Sequence, residues 1–350
     1  MNSNTSLSVI ICTCNRVASL RQTLSALGKA RIPHSCKAEV IVVDNGSVDG
    51  TAEMIRNTVL SNMSVVYLFE PKPGKSNALN SGMAMASGEI LLLTDDDVAP
   101  SEDWIEQMLL CFNAPHCDAA VGKVKLAPDL EHPWLKGLEK IYLAVIDFDA
   151  GMPVEIVGAN AAFRRSVLDR VPHFDPELGS GALGNAEDTL FGFQLMEAGL
   201  EIKYAEHAVV VHHPDKSRLT RGAFLNAARQ RARSNAYVFH HWKHNDLEFP
   251  RVKSLWLLTK LSLRRILQPP PPASCEGCPH WEWSYVEQLA FCRQYCIERR
   301  RPRNYSRHGL KKLNMPEQAA LLHLPEYRQE DVAGKSGQSA SVLQINSAKQ

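Results

Sequence analysis

The segment Glu89-Ile-Leu-Leu-Leu-Thr-Asp-Asp-Asp97 places a short apolar run directly before three consecutive aspartates. The run at 89–93 predicts a strand covered by helices on both faces, because it does not alternate between apolar and polar residues. Three more runs of this kind precede it, at residues 8–12, 39–43 and 65–69. These four strands define the core of the predicted fold.

Helical patterns separate the strands. Leu20, Leu24 and Leu27 recur at helical spacing after the first strand, and residues 76–86 form a helical pattern before the fourth. Strands that alternate with helices predict an α/β fold, with a mostly parallel sheet flanked by helices. Open sheets of this type bind ligands beyond the carboxyl ends of their strands. The residues that follow the strands are therefore the candidate site.

Carboxylates follow two of the strands. Asp44 follows the second strand, and Asp95, Asp96 and Asp97 follow the fourth. Three adjacent carboxylates repel one another, so the cluster requires a cation; Mg²⁺ or Mn²⁺ would bind a few carboxylates together with substrate phosphates. In an extended chain Asp95 and Asp97 would project to the same side and clamp a metal–diphosphate. A surface acidic turn is the alternative, but the buried strand before it argues against that interpretation.

Six segments, in order along the chain, resemble the family 2 glycosyltransferases of the GT-A fold. This is the large inverting group that builds bacterial polysaccharides and related glycans. The resemblance covers roughly residues 6–215. The matching segments are Ser8-Val-Ile-Ile-Cys-Thr-Cys-Asn-Arg16, Val40-Ile-Val-Val-Asp-Asn-Gly-Ser-Val-Asp-Gly-Thr51, Gly74-Lys-Ser-Asn-Ala-Leu-Asn80, Thr94-Asp-Asp-Asp97, Gly158-Ala-Asn-Ala-Ala-Phe-Arg-Arg165 and the pair Glu187-Asp188.

The resemblance implies a site for a nucleotide-sugar and a divalent cation, Mg²⁺ or Mn²⁺. Asp44 would contact the nucleobase, often uracil, and Asp95 would lie near the ribose or a metal-bound water. Asp97 would hold the metal, and His212 or His213, after the strand at 208–211, could add a ligand. Ordinary strand-end histidines are the alternative. The other donor-binding residues implied are Asn15, Arg16, Asn45, Lys75, Asn80 and Asp96.

The acceptor side is implied by the Glu187-Asp188 pair. Asp188 would be the general base and Glu187 would assist beside it, since an acceptor hydroxyl is a poor nucleophile until a carboxylate takes its proton. The anomeric carbon passes through an oxocarbenium-like state, and a base for inversion must lie opposite the leaving diphosphate. Two acids at a helix N-terminus also favour the helix dipole. Both roles can hold together.

The predicted function is inverting transfer of a sugar from a nucleotide-diphosphate donor, with a UDP-sugar favoured, to an acceptor hydroxyl. The setting would be polysaccharide, cell-envelope or lipid-linked glycan synthesis. A catalytically inactive nucleotide-sugar-binding protein of the same fold is the alternative, although the intact acids argue against it. A nucleotidyltransferase would carry a Gly-rich loop where this chain has Cys12-Thr-Cys-Asn-Arg16. A P-loop is excluded because Phe69 stands at the position of its first glycine.

The predicted domain organisation has three parts. Residues 1–215 form the GT-A domain, residues 216–326 a helical, basic, Cys-containing C-terminal region, and residues 327–350 a disordered tail rich in polar residues. Between Lys216 and Lys312 stand 20 Lys or Arg and 6 Asp or Glu residues. This excess predicts either a solvated helical surface or a basic face for anionic lipid headgroups or lipid-linked phosphates. No nucleic-acid-binding module is recognisable there.

Four cysteines in the C-terminal region have a spacing close to that of a structural zinc site. They form the pairs Cys275-x2-Cys278 and Cys292-x3-Cys296, and His280 could replace one ligand. Two pairs of buried or idle thiols are the alternative.

Residues 251–267 predict an amphipathic helix. Its basic face carries Lys253, Lys260 and Arg264, and another face carries Leu255, Leu258 and Ile266. The helix could pack on the core or lie on a membrane surface, where it would suit a lipid-linked acceptor. No secretory leader or membrane-spanning run is apparent in the sequence. We therefore expect a cytoplasmic protein, with peripheral contact to the inner face of the membrane as a further option.

Overall fold

A computed structural model describes residues 5–148 and 154–313. Its centre is an eight-stranded sheet with the strand order β3-β2-β1-β4-β7-β6-β8-β5. The strands are β1 (Ser6–Thr13), β2 (Lys37–Asp44), β3 (Ser64–Phe69), β4 (Ile90–Asp95), β5 (Val98–Pro100), β6 (Ala119–Leu126), β7 (Asn160–Arg164) and β8 (Ile202–His212). The four strands expected from the N-terminal apolar runs are confirmed as β1 to β4.

The N-terminal half of the sheet is parallel throughout. β1 pairs with β2 on one side and with β4 on the other, and β2 pairs with β3. Side chains of β1 alternate between the two faces, so Val9 and Ile11 pack with Leu20 on one face while Ile10 packs with Leu79 on the other. Helices therefore cover both faces, which is why the strand sequences are apolar without alternation.

The other half of the sheet is mixed. β7 runs antiparallel to β4 and β6, whereas β6 and β8 are parallel and β5 is antiparallel to β8. The expectation of a mostly parallel sheet with flanking helices therefore agrees roughly with the structure. β5 and β6 were not predicted from the sequence, because β5 has three residues and β6 bends at a bulge between Gly122 and Lys123.

Helices flank the sheet and continue beyond it. Within the C-terminal region predicted as helical, residues 221–267 contain two helices, and the second begins at Pro250, a residue suited to the first helical position. The helices are α1 (Val17–Leu27), α2 (Thr51–Arg56), α3 (Lys75–Met85), α4 (Trp104–Cys111), α5 (Leu138–Tyr142), α6 (Glu187–Glu197), α7 (Arg221–His241), α8 (Pro250–Leu267) and α9 (His280–Glu298).

The three last helices share a hydrophobic cluster with the chain that follows β6. Phe224 of α7, Leu261 of α8 and Trp283 of α9 pack in one cluster with Leu126 and Leu130. All the described residues, 5–148 and 154–313, belong to one compact unit. The division at residue 215 stays a prediction, and the predicted tail at 327–350 lies outside the described residues.

The zinc prediction is wrong. Cys275 and Cys278 precede α9, whereas Cys292 and Cys296 lie on it, and the twelve residues from His280 to Cys292 span about 18 Å of helix. Across residues 5–148 and 154–313, no group of three or more His, Cys, Asp or Glu side chains could hold a metal ion. The number of residues between the cysteines is close to that of a zinc site. That number alone does not show that the intervening residues form a helix, which keeps the two pairs from converging on one ion.

None of the helices among the described residues is both long enough and apolar enough to span a membrane.

Candidate active site

The three consecutive aspartates lie where β4 ends. Asp95 is the last residue of β4, and residues 96 and 97 form a turn before β5. The extended geometry expected for these residues is therefore wrong: Asp95 pairs with Lys75, whereas Asp96 and Asp97 pair with Arg16. In the structure, the side chains of Arg16 and Lys75 supply positive charge next to the cluster, and a divalent cation there stays a prediction.

Asp96 and Asp97 share one guanidinium group. Nη1 of Arg16 lies 2.9 Å from Oδ1 of Asp96 and 2.8 Å from Oδ2 of Asp97. Thr13, at the end of β1, donates a hydrogen bond of 2.7 Å to Asp96. Burial raises the pKa of Asp96 to about 6, although the charge of Arg16 opposes this. The Arg16 side chain is 46% exposed, whereas the two carboxylates that it contacts are buried.

Asp97 also faces His212, the last residue of β8. Nε2 of His212 lies 3.3 Å from Oδ1 of Asp97, and Nδ1 lies 2.6 Å from the Leu143 carbonyl. The pairing of Val98 with His212 between β5 and β8 creates this proximity. Burial favours a higher pKa for Asp97, but His212 and Arg16 hold the pKa of this carboxyl well below its usual range. The neighbouring His213 is exposed, and its amide donates to the Asp97 carbonyl.

The pair of Asp97 and His212 fits a divalent cation. The Leu143 carbonyl can only accept, so Nδ1 carries a proton and Nε2 is the atom directed at Asp97. Metal-binding histidines typically donate their other ring N–H in this way. The pair supplies two protein ligands, and Mg²⁺ or Mn²⁺ commonly completes its shell with water and substrate phosphates.

Lys75, the first residue of α3, connects the aspartate cluster to α6. Its Nζ lies 2.7 Å from Oδ1 of Asp95 and 3.6 Å from Oε1 of Glu187. Burial lowers the pKa of Lys75, but the carboxylates of Asp95 and Glu187 outweigh this and hold that pKa well above its usual value. The end of β4 and the N-terminus of α6 therefore border the same site.

The Glu187-Asp188 pair begins α6. Asp188 accepts hydrogen bonds from the amides of Gly158 (3.0 Å) and Thr189 (2.7 Å), which orient its carboxylate. Glu187 is buried, and burial together with Asp188 raises its pKa to about 7 against the opposing charge of Lys75. The two neighbouring acids therefore have different environments: Asp188 is partly exposed and Glu187 is not.

Comparison with protein families agrees with this geometry. A model described as "Glycosyl transferase family 2" matches residues 8–171, and one described as "Glycosyl transferase family group 2" matches residues 90–291, more than half of the chain. The chain belongs to glycosyltransferase family 2. The first match contains Asp44 and Asp97, and the second contains Asp97, Asp188 and His212.

Curated relatives of this family 2 chain match parts of it. "Glycosyltransferase AglE" of Haloferax volcanii is 34% identical over 121 residues, which are 34% of this chain and 39% of that protein. "Probable glycosyltransferase YdaM" of Bacillus subtilis is 27% identical over 216 residues, 58% of this chain and 49% of that protein. "Poly-beta-1,6-N-acetyl-D-glucosamine synthase" of Staphylococcus epidermidis is 25% identical over 213 residues, 58% of this chain and 48% of that protein. The chain thus spans about half the length of these relatives or less.

A solved structure shares the fold. The mannosyltransferase PcManGT from Pyrobaculum calidifontis, whose structure is described as a complex with GDP-Man and Mn2+, aligns with a TM-score of 0.51 at 19% identity. The alignment covers 85% of this chain and 74% of that chain. The GT-A fold expected for this family 2 chain is thereby confirmed.

Other predicted donor residues of the family 2 chain support the loops of the site. Asp44 is buried and accepts from the Ser47 amide at 2.8 Å, which holds the turn after β2. Asn15 has a left-handed backbone and accepts from the Val48 amide, joining that turn to the loop after β1. Asn45 donates to the carbonyls of residues 70 and 72. Their contacts with a nucleotide stay predictions.

Asn80 lies apart from this group. Its side-chain amide is paired in both directions with the backbone of Phe174, at 2.9 and 3.0 Å. The amide therefore anchors the segment around residue 174 to α3. A direct contact with the donor stays a prediction that would need this pairing to break.

A cleft of about 400 Å³ opens beside the aspartates of the family 2 chain. Its lining includes Arg16, Asp97, His213 and Asp215. The sequence did not single out Asp215 or Arg218, although the Arg218 guanidinium lies 3.9 Å from Asp97. Asp215 and Arg218 lie in the segment after β8, so the proximity of Arg218 to Asp97 depends on the pairing of β5 with β8, and no local motif indicates it.

Proposed function

We propose that the chain transfers a sugar from a nucleotide-diphosphate donor to an acceptor hydroxyl with inversion at the anomeric carbon. The observation that carries the proposal is the position of Lys75 between Asp95 and Glu187. Because Lys75 contacts both carboxylates, the aspartates after β4 and the acid pair at the start of α6 belong to one site. A single-displacement reaction needs the leaving diphosphate and the base on opposite sides of one sugar ring.

The donor side would bind the diphosphate. Asp97 and His212 would hold a divalent cation, which stabilises the negative charge of the departing diphosphate without proton transfer. Arg16 and Arg218 carry the guanidinium groups nearest to Asp97, and guanidinium groups bind phosphate oxygens well. Arg16 would exchange its aspartate partners for phosphate when the donor binds. A UDP-sugar is favoured because the turn that contains Asp44 resembles the nucleobase-binding turn of the family.

The acceptor side would remove a proton. Asp188 is partly exposed and held by two backbone amides, so it can accept the proton of an acceptor hydroxyl as general base. Glu187, buried beside Lys75, would keep that lysine in place and set the charge around Asp188. The acceptor class would be a polysaccharide, a cell-envelope glycan or a lipid-linked glycan; the name of the Staphylococcus epidermidis relative supports a glycan product. A cytoplasmic location, with the acceptor at the membrane, is part of the same proposal.

The test is a donor panel. Purified protein is incubated with UDP-, GDP- and dTDP-sugars, with Mn²⁺ or Mg²⁺ and with EDTA, and both binding and nucleotide release are measured. We expect metal-dependent release from one donor, with loss of release but retained binding in Asp188→Asn. Metal-dependent binding without turnover, unchanged by Asp188→Asn, would favour the inactive binding protein. The absence of binding to any nucleotide-sugar would refute the proposal.

A further inference from the structure

Helix α8 exposes a continuous apolar surface. Leu257 and Leu261 face inward and are buried with residues of α7 and α9. On the opposite side, six large apolar side chains are between 52% and 74% exposed. At 100° per residue, these six fall within an arc of about 120°. This set, named here the α8 outer face, consists of Val252, Leu255, Trp256, Leu263, Ile266 and Leu267.

Basic residues border the α8 outer face on both sides. Lys253 and Lys260 lie along one edge of the arc, and Arg251 and Arg265 along the other. The sequence of α8 contains five Lys or Arg residues and no Asp or Glu. Nζ of Lys260 lies 4.1 Å from the centre of the Trp256 ring, so its aliphatic stem follows the apolar surface while its charge stays at the edge.

The chemistry of this surface identifies the partner. Single exposed apolar residues are common, but six adjacent ones on one helix indicate a binding surface. An apolar strip with cations on both edges and no acid matches an anionic lipid bilayer, whose acyl region takes the apolar strip and whose phosphates take the cations. A protein partner would need a matching acidic rim on two sides of one apolar groove.

We propose that α8 lies in the plane of an anionic membrane surface, with the α8 outer face inserted to the level of the acyl-chain boundary. Arg251, Lys253 and Lys260 would contact headgroup phosphates. The proposal concerns binding to lipid and does not depend on the transfer chemistry. If both hold, membrane contact through α8 would bring the enzyme to lipid-linked acceptors.

The test is vesicle flotation with the purified full chain. The vesicles contain phosphatidylcholine alone or phosphatidylcholine with phosphatidylglycerol. The apolar variant is L255Q/L263Q/I266Q, which keeps helix-forming residues, and the charge variant is R251Q/K253Q/K260Q. Arg264 and Arg265 are left intact because they contact Trp281 and Glu282. The matched control is V59Q/L110Q, which removes exposed apolar residues outside α8.

We expect wild type and the V59Q/L110Q control to float with the anionic vesicles. The apolar variant should bind roughly tenfold or more weakly, and the charge variant should bind more weakly and lose its sensitivity to salt. All four proteins should show the same thermal unfolding, because the changed side chains are exposed. Failure of wild type to float, or equal binding by the apolar variant, would overturn the proposal. Concentration-dependent dimerisation lost in the apolar variant, without flotation of wild type, would assign the face to a second copy instead.

Discussion

His212 Nε2 lies 3.3 Å from Oδ1 of Asp97, although the two residues belong to distant parts of the chain. The contact exists because β5, which begins one residue after Asp97, pairs with the end of β8. A carboxylate from one strand end and an imidazole from another therefore meet at the edge of the cleft.

Asp97→Asn and His212→Gln should each weaken Mn²⁺-dependent binding of the nucleotide by roughly tenfold or more, because each removes a ligand or its charge. Binding can be followed by calorimetry with and without EDTA. His213→Gln is the matched control, since the hydrogen bond between His213 and Asp97 joins backbone atoms and survives the substitution. A larger loss in His213→Gln than in His212→Gln would show that the wrong histidine has been assigned.

Asp188→Asn should lower kcat by about 10²–10⁴-fold, as expected for the loss of a general base, while the KM for the donor changes little. A role limited to the helix N-terminus would instead lower the free energy of unfolding by about 0.3–1 kcal/mol without a large rate effect. Steady-state kinetics and urea unfolding of the same variant separate the two roles. Thr189→Val, which keeps the carboxylate and its backbone contacts, should retain most of the activity.

Lys75→Met should lower the free energy of unfolding by about 2–3 kcal/mol, because Glu187 and Asp95 lose their shared cation and Glu187 is buried. Glu187→Gln in the same chain should recover part of this loss. The measurement is a double-mutant cycle by urea unfolding. Strictly additive effects of the two changes would contradict a direct interaction between Lys75 and Glu187.

The raised pKa of Glu187 predicts a pH dependence of stability. The folded state, with a pKa of about 7, binds a proton more readily than the unfolded state, with a value near 4.5. Protonation therefore stabilises the fold, and the free energy of unfolding should fall as pH rises through this window. The unfolding free energy of Glu187→Gln, measured at several pH values, should lack this part of the slope. Identical slopes for wild type and variant would mean that Glu187 keeps an ordinary pKa.

Arg221→Met should destabilise the C-terminal helices by about 3–5 kcal/mol, because it leaves the fully buried carboxylate of Glu282 with fewer cations. Nε of Arg221 lies 2.6 Å from Oε2 of Glu282, and Arg265 contacts the other carboxylate oxygen, Oε1. Arg265→Met is the control and should lower the free energy of unfolding by less, since the Arg265 side chain is partly exposed. Thermal unfolding of both variants makes the comparison. An equal loss of stability in the two variants would show that the burial of Arg221 does not determine how much its ion pair stabilises the fold.

Much of the fold could be predicted from local sequence. The apolar runs ending at Asp44 and Asp95 identified β2 and β4, because a strand buried on both faces leaves a continuous apolar pattern. The antiparallel strands β5 and β7 could not be placed in the same way. They are short, and their position depends on pairing with chain that is distant in sequence.

For the amphipathic segment at 251–267, local sequence predicted the helix but not what packs against it. Its pattern predicted a helix with a basic and an apolar face, and left open whether that helix packs on the core or lies on a membrane. In the structure, Leu257 and Leu261 pack inward while Leu255 and Ile266 are exposed. Helix α8 therefore packs on the core through one side and exposes apolar residues on the other, because α9 covers only the side that carries Leu257 and Leu261.

The sequence by itself determined the family, the parallel strands and the carboxylates at their ends, since each follows from residues adjacent in the chain. The tertiary structure alone decided which cations meet those carboxylates. Arg16 reaches Asp96 and Asp97, Lys75 joins Asp95 to Glu187, and His212 faces Asp97. Charge pairing acts over a few ångströms in space, and only the packing of strands and helices from distant parts of the chain sets those distances.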